Sequence, residues 1–167
     1  MALVVVAGNN SDRSAEAIGA LLGRYRTVSL LTRGICEACP AARMRVTAVH
    51  PGQRVALGKG CVLVCLDEGA GPAEGQGVHL LLREGLAVPP GLEPAQVISL
   101  GRGSKNTVTV SSLQGERMMI SLQRTVESLD GNPVEPCELP LDLPAGIELY
   151  EALAAAAALL LAGFPLP

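Results

Sequence analysis

Apolar and polar positions over the first 31 residues follow the order of a β-loop-α-β unit. Residues 3–7, LVVVA, form a continuous apolar run that is typical of a strand buried on both faces of a parallel sheet. Apolar residues then recur at helical spacing over residues 15–22, and Asp12 or Ser14 is the expected N-cap. Residues 27–31, TVSLL, predict a second strand. A unit of this kind favours a parallel sheet.

The pattern is weaker in the middle of the chain. Residues 33–60 predict loop or short helix, followed by two short strands around a Pro-Gly turn. Two apolar runs, 61–67 and 78–84, predict buried strands, and the glycine-rich segment 69–77 between them predicts a mobile loop. Residues 85–96 contain three prolines, so they predict a linker without a helix and are the candidate for a boundary inside the domain.

The last third of the chain contains a β-rich part followed by an apolar helix. The first part is β-rich and punctuated by turn residues; its predicted strands are residues 96–101, 107–113 and 117–129, with hairpin turns at residues 114–116 and 130–132. Residues 146–162 are apolar and alanine-rich and predict a buried helix. The predicted fold class is therefore α/β, with a mostly parallel sheet that opens β-loop-α-β, a C-terminal antiparallel β-hairpin region and a closing Ala-rich buried helix.

The composition supports a single folded domain over residues 1–167. Hydrophobic residues make up 49% of the chain and charged residues 17%, whereas a disordered chain combines low hydrophobicity with high charge. Only three residues are aromatic, so Ala, Val, Leu and Ile must fill the core. The net charge is −3, and no basic stripe or aromatic platform is evident, which argues against nucleic acid as a partner.

Targeting signals and cysteines bear on location. The N-terminal apolar run is too short for a signal peptide, and the longest apolar stretch, residues 152–164, is shorter than the about 20 residues that span a membrane. Five cysteines without a secretory signal are typical of reduced thiols rather than of a disulfide framework. We therefore expect a cytoplasmic protein without membrane contact.

The best-placed candidate site is the loop between the first predicted strand and helix. In parallel α/β folds, ligands bind at the carboxyl ends of the strands, and a helix N-terminus attracts anions. The loop reads AGNNSDRS; Gly8 is present, but Ser11 stands at the second glycine of a Walker-type phosphate loop and Asp12 at its lysine. A carboxylate at that position repels phosphate. The segment is therefore either a phosphate site that relies on Arg13 or an ordinary strand-to-helix loop.

A second loop, GRGSKNT at residues 101–107, combines glycines, a hydroxyl group and Lys105. A strand follows it rather than a helix, so the helix dipole that assists phosphate binding is missing, and a polar hairpin or crossover loop is the alternative. The two loops together supply the candidate nucleotide- or phosphate-binding residues, which are Gly8, Asn9, Asn10, Ser11, Arg13, Ser14 and Lys105.

Other residues with candidate chemistry are cysteines and an acid at a strand end. Cys36 and Cys39 form a C-x-x-C pair that is compatible with a thiol or redox role, although zinc would need two further ligands. Cys61 and Cys65 lie in one predicted strand, roughly 13 Å apart at about 3.3 Å per residue, so they are too far apart to bind one metal together. Asp67 and Glu68 lie at the carboxyl end of that strand and are compatible either with magnesium binding or with a solvated strand end. No metal site and no catalytic residue is predicted.

The order of these pieces resembles the central ATP-binding domain of the Mur ligase and folylpolyglutamate synthetase superfamily. That domain has a strand, a T-G-T-N-G-K-T-T-like phosphate loop and a helix, and AGNNSDRS at residues 7–14 occupies the same place. It closes with a glycine-marked strand, a hairpin region and a helix with a G-x-x-N-x-x-N-A-L-A-A pattern. Residues 145–163 read AGIELYEALAAAAALLLAG, and the match is most specific at residues 152–155. The resemblance implies the fold of that domain.

The chain departs from the family pattern at the positions that carry the family's chemistry. The phosphate-loop lysine aligns with Asp12 and the hydroxyl residue after it with Arg13, while the two asparagines of the closing helix align with Glu148 and Glu151. The resemblance therefore implies descent from an amide-forming ligase without its chemistry. The sequence does not identify a cofactor: ATP with magnesium is compatible with the resemblance, but the phosphate-loop lysine is absent.

Three functions are compatible with these observations. The first is a non-catalytic binding or assembly module that acts with a protein partner or as a homo-oligomer. The second is a nucleotide- or phosphate-binding protein, or a small enzyme, that uses the loop at residues 8–14. The third and weaker one is a thiol role at Cys36 and Cys39.

Overall fold

The structure is a computed structural model that describes residues 1–164; residues 165–167 lie outside the described part. Its helices are α1 (Ser11–Gly23) and α2 (Leu149–Leu161). Its strands are β1 (Ala2–Ala7), β2 (Val28–Leu31), β3 (Cys36–Glu37), β4 (Met44–Val49), β5 (Val55–Leu57), β6 (Cys61–Cys65), β7 (Ala73–Arg83), β8 (Leu92–Gly101), β9 (Val108–Gln114), β10 (Arg117–Leu122), β11 (Val126–Glu127), β12 (Pro133–Val134) and β13 (Cys137–Asp142).

One large sheet runs through the molecule in the order β13-β10-β9-β8-β7-β6-β1-β4-β2-β3, and β5 pairs with β7 off this path. The strands from β2 to β9 along this order are parallel, whereas β3 at one edge and β10 with β13 at the other add antiparallel pairs. The predicted α/β class with a mostly parallel sheet and a C-terminal antiparallel hairpin region is therefore confirmed. The central strand is β1, whose valines Val4, Val5 and Val6 are at most 2% exposed.

Both helices pack on one face of the sheet and against each other. All five alanines of residues 154–158 are at most 2% exposed, because their short side chains let α2 approach its neighbours closely. The backbone N–H of Glu148 donates to Oε2 of Glu151 (2.9 Å), which caps the start of α2, and Gly163 adopts φ +69° just past its end. The Ala-rich run is thus a buried helix, as predicted, although it begins three residues later than the pattern indicated.

The opposite face of the sheet is covered by extended chain. Within residues 1–164, the core cluster on this face contains strand residues such as Val5, Leu63 and Leu80 but no residue of either helix. The register between β7 and β8 shifts on both sides of Val78, next to Gly77 with φ +73°, and the first residues of β7 pair with β5 instead of β6. These first residues, with β5 and the start of β8, form a short second layer over the central strands.

This second layer corrects one prediction from the sequence. Residues 69–77 do not form a mobile loop throughout, because β7 begins at Ala73. Gly75 explains why the composition was misleading: a Cβ at this position would collide with the carbonyl oxygen of Leu57, so glycine serves the close approach of β5 to β7 rather than flexibility.

Helix α1 begins earlier than the sequence suggested. Its N-cap is Asn10, not Asp12 or Ser14, and the backbone N–H of Ser14 donates to the carbonyl of Asn10 (3.0 Å). Asn10 does not cap the helix with its side chain, and its side-chain NH2 group donates to Asp67 instead. No helix within the described residues is long and apolar enough to cross a bilayer.

Candidate functional site

The loop after β1 is closed by a carboxylate from the neighbouring strand end. Asp67 follows β6, which pairs with β1 in parallel, so the two strands end side by side. The backbone N–H of Asn9 donates to Oδ1 of Asp67 (2.7 Å), and the backbone N–H of Asn10 donates to Oδ2 (2.9 Å). The side-chain amide of Asn10 donates to the same Oδ2 (2.9 Å). Asp67 therefore occupies the backbone donors of the two residues that precede α1.

Glycines make this close approach possible. Gly8 adopts φ +142°, and a Cβ on it would collide with Oδ1 of Asp67. Gly69, at φ +95°, leaves room in the same way for the side chain of Asn9, and the backbone N–H of Asn9 also donates to the carbonyl of Glu68 (3.2 Å). The two loops are thus matched to each other at the carboxyl edge of the sheet.

The N-terminus of α1 carries a partial positive charge that attracts anions such as the carboxylate of Asp67. The first N–H groups of a helix have no partner within the helix and carry a partial positive charge, which is why anions bind there. In this chain, the carboxylate of Asp67 lies next to that helix end, on the N–H groups of Asn9 and of the N-cap residue Asn10. In a phosphate loop without such a carboxylate, the corresponding N–H groups are free to donate to a bound anion.

The first turn of α1 is linked to the start of α2. Arg13 forms a salt bridge with Glu148 (2.7 Å), and the hydrogen bond and charge of Glu148 raise the pKa of the arginine above its ordinary value. Oγ of Ser14 donates to Oε1 of Glu151 (3.1 Å), whose side chain is only 2% exposed. Glu148 and Glu151 therefore join the two helices.

The second candidate loop has a carboxylate of its own. The backbone N–H of Arg102 donates to Oε1 of Glu84 (3.2 Å), and the side-chain amide of Asn106 donates to Oε2 (2.8 Å). The hydroxyl of Tyr150, on α2, also donates to Oε1 (2.8 Å). Hydrogen bonds from Asn106, from Tyr150 and from the backbone of Arg102 lower the pKa of Glu84 below its usual range. A Cβ at Gly101 would collide with Asn106 and Glu84, which accounts for the glycine.

The tyrosine of this cluster is held from both sides. The guanidinium of Arg83 lies over the ring of Tyr150, 4.3 Å from its centre, and also donates to the carbonyl of Leu66 (3.3 Å). Burial, followed by the hydrogen bond to Glu84, raises the pKa of Tyr150. These contacts attach the N-terminus of α2 to the ends of β7 and β8.

The predicted phosphate-binding residues do not converge on one point. Residues 8–14 lie at the end of β1, whereas Lys105 lies beyond the end of β8, three strand positions away in the sheet order. At about 4.8 Å per strand, this separates the two loops by about 14 Å. Glu84 and Tyr150 are attached to the loop of Lys105. Ser11 is 2% exposed, and its hydroxyl has no hydrogen-bond partner among the described residues.

The cysteines are distributed over several elements. Cys36 is exposed on β3 and Cys39 is half-buried, and both line an apolar groove of about 580 Å³ beside β2 and β4. Cys61 and Cys65 lie together in β6, as predicted, and burial raises the pKa of Cys65 to about 12, which makes its thiol unreactive near neutral pH. Among residues 1–164, no group of three or more His, Cys, Asp or Glu side chains is placed to hold a metal ion.

The residues that sequence reasoning missed are mainly the carboxylates that close these loops. The sequence shows Asp67 as an acid at a strand end, but its partners Asn9 and Asn10 are 58 and 57 residues away in the chain. Glu84 follows β7 in the same way and was not considered. The available signal is that each acid directly follows a buried strand adjacent to a glycine-containing loop.

Comparisons with known proteins bear on the fold. No family model and no curated protein gives a significant match to the sequence. Among solved structures, the chain is similar to two crystal structures of MurF from Acinetobacter baumannii, at 13% and 14% identity and a TM-score of 0.53 for each. It is also similar to the MurF ligase from Thermotoga maritima in complex with ADP, at 9% identity and a TM-score of 0.51.

These matches define a Mur-ligase-like α/β fold. Each covers 99% of this chain but only 44%, 43% and 46% of the three MurF chains, so the chain spans less than half the length of the proteins it resembles. Identities this low show the fold and not the activity.

Proposed function

We propose that the protein is a binding or assembly module on a Mur-ligase-like fold that does not catalyse ATP-dependent ligation. The observation that carries the proposal is the position of the Asp67 carboxylate on the backbone N–H groups of Asn9 and Asn10. A phosphate group in this loop would have to displace a carboxylate that accepts three hydrogen bonds, and it would be repelled by the negative charge.

The other candidate phosphate ligands also have partners within the chain. Arg13 is paired with Glu148, and Ser14 donates to Glu151. These bonds connect α1 to α2, so they contribute to the framework that a binding module needs. Asp12, at the position of the family's lysine, adds a negative charge to the same turn and accepts the backbone N–H of Arg33 (3.1 Å).

The partner in this proposal is a protein. It is either a second copy of the chain or a ligase-type protein of the cell wall, as the resemblance to MurF structures suggests. Sedimentation of the purified chain over a range of concentrations distinguishes the first from the second, because only self-association depends on the concentration of this chain alone.

The proposal is tested with a fluorescent ATP analogue and magnesium. The wild type and Arg13→Ala are titrated in parallel, and ATP turnover is measured for both. We expect no saturable binding and no turnover in either protein. Saturable binding that Arg13→Ala abolishes would refute the proposal and support a nucleotide-binding protein that uses the loop at residues 8–14.

A further inference from the structure

The loop between β8 and β9 is held in one conformation by its own hydrogen bonds. In addition to the bond from the backbone of Arg102 to Glu84, the N–H of Asn106 donates to the carbonyl of Gly103 (3.0 Å). The N–H of Thr107 donates to the side chain of a serine on β8 (2.9 Å). The backbone donors of Arg102, Asn106 and Thr107 are thus bonded within the protein, and these bonds hold the two ends of the loop.

Two cationic side chains lie on this loop, and a third reaches it from the segment after β10. Arg102 and Lys105 are exposed, and neither forms a salt bridge with a carboxylate of residues 1–164. The exposed Arg124 donates from its guanidinium to the carbonyl of Lys105 (3.0 Å), which brings a third positive charge to the loop. We name Arg102, Lys105 and Arg124 the basic patch. The nearby Glu135 is bonded to the hydroxyl of Thr125 (2.9 Å).

The basic patch is unusual for this chain. The net charge of the protein is −3, yet none of the three cations forms a salt bridge in the described structure; the carboxylate of Glu84 is bonded to the backbone of Arg102 and not to its guanidinium. Like charges that lie close together repel one another, so their grouping does not stabilise the fold. Charged side chains on a rigid loop instead favour the encounter and orientation of a partner of opposite charge.

The loop geometry restricts the chemistry of that partner. A phosphate site of the usual kind has several consecutive backbone N–H groups directed at one anion and a helix N-terminus behind them, whereas the N–H groups of Arg102, Asn106 and Thr107 are directed at acceptors of the protein and a strand follows this loop. A single-stranded nucleic acid needs exposed aromatic faces, and the ring of the nearby Tyr150 is covered by Arg83. Carboxylates on a flexible chain need only accessible cationic side chains, which the basic patch provides.

We propose that the basic patch is the surface on which an acidic segment of a partner protein docks. The proposal rests on the proposed function as a binding module and names the class of partner for that function. The contacts would be salt bridges between carboxylates of the partner and the side chains of Arg102, Lys105 and Arg124. Solvent-exposed salt bridges of this kind mainly increase the association rate, and their contribution falls as the ionic strength rises.

The test uses the full chain and a fluorescein-labelled oligoglutamate peptide, with binding followed by fluorescence anisotropy. Measurements at about 20 mM and about 200 mM salt shorten the Debye length from about 20 Å to about 7 Å. The double variant Arg102→Glu with Lys105→Glu is compared with a matched control, Arg33→Glu with Lys59→Glu. All four residues are exposed, and both variants change the net charge equally.

We expect the wild type to bind the peptide at low salt and to lose most of this binding at high salt. The Arg102 and Lys105 variant should bind about tenfold more weakly or worse, whereas the control should change by less than about threefold. Thermal unfolding of both variants checks that they are folded. Equal weakening in the two variants would overturn the proposal, because net charge alone would explain it, and so would an absence of binding at low salt.

Two further measurements distinguish an acidic peptide from a phosphate ligand and from a nucleic acid. Displacement of the peptide by inorganic phosphate at low millimolar concentration would overturn the proposal in favour of a phosphate ligand. Tighter binding of a DNA duplex than of oligoglutamate would overturn it in favour of a nucleic acid. Neither result alters the ATP titration, so failure of this surface is distinguishable from failure of the proposed function.

Discussion

Replacement of Asp67 by alanine tests how far the loop at the N-terminus of α1 depends on this carboxylate. The variant removes three hydrogen bonds, from the backbone of Asn9 and from the backbone and side chain of Asn10, at 2.7, 2.9 and 2.9 Å. The site is partly exposed, so we assign about 0.5–1 kcal/mol to each bond, below the range for buried charged pairs. Asp67→Ala should therefore lower the free energy of unfolding by about 1.5–3 kcal/mol. For a chain of this length, that is a fall in Tm of roughly 3–12 °C.

The matched control is Glu68→Ala. It removes the same charge from the next residue, and the Glu68 side chain is exposed and makes no hydrogen bond within the described part of the chain. The carbonyl of Glu68, which accepts from Asn9, is unaffected by the substitution. Urea unfolding of Glu68→Ala should lie within about 0.5 kcal/mol of the wild type.

Inorganic phosphate adds a second measurement to the same pair of variants. If Asp67 occupies an anion position, Asp67→Ala should gain stability in phosphate, by about 1.4 kcal/mol at ten times the dissociation constant, while the wild type should not. The reasoning would be refuted if Asp67→Ala and Glu68→Ala unfolded at the same urea concentration, since the carboxylate would then not hold the loop.

Further predictions concern the contacts that position α2. Because hydrogen bonds lower the pKa of Glu84 below 4.5, this carboxylate stabilises the fold above the ordinary pKa of glutamate and loses that contribution as the pH falls through its lower folded-state pKa. The stability difference between the wild type and Glu84→Gln, about 1 kcal/mol or less for so exposed a group, should therefore shrink as the pH falls below the ordinary pKa of glutamate, and a constant difference would contradict this. Glu151→Ala removes the capping carboxylate and the acceptor of Ser14, so urea unfolding should show a loss of about 2–4 kcal/mol against about 1 kcal/mol for Ser14→Ala; equal losses would contradict a buried role for the glutamate. Ala155→Leu should overpack the interface of α2 and cost about 1–3 kcal/mol, whereas Ala20→Leu, exposed on α1, should stay within about 0.5 kcal/mol; a neutral Ala155→Leu would mean that the helices are loosely packed.

Local periodicity carries most of the information about the elements of this fold. The valine run at residues 3–7 and the alanine-rich run at 146–162 identify β1 and α2, because strands buried on both faces and buried helices need continuous apolar sequence. The turns at residues 114–116 and 130–132 lie between the hairpin strands β9 and β10 and between β11 and β12, as predicted. These features depend on residues close together in the chain.

The second layer was not predictable in the same way. Glycine at position 75 indicates flexibility in a sequence, but here it lets the β5 backbone approach β7, and β5 lies about eighteen residues earlier in the chain. Similarly, the hydrogen bonds of Asp67 to Asn9 and Asn10 form only because β6, which precedes Asp67, lies beside β1. The sequence located the carboxylate and the loop, but their pairing is a property of the sheet order.

The central claim is that the loop of residues 8–14 does not bind a nucleotide in the native protein. The most direct measurement is a thermal-shift titration with ATP, ADP and UDP-linked compounds, each with and without magnesium. Ligand at 100 times its dissociation constant adds about 2.7 kcal/mol, which would raise the Tm of a domain of this size by roughly 5–10 °C. We predict no shift at millimolar concentrations of any of these compounds. A clear rise that is lost in Arg13→Ala would contradict the account and identify the protein as a nucleotide binder.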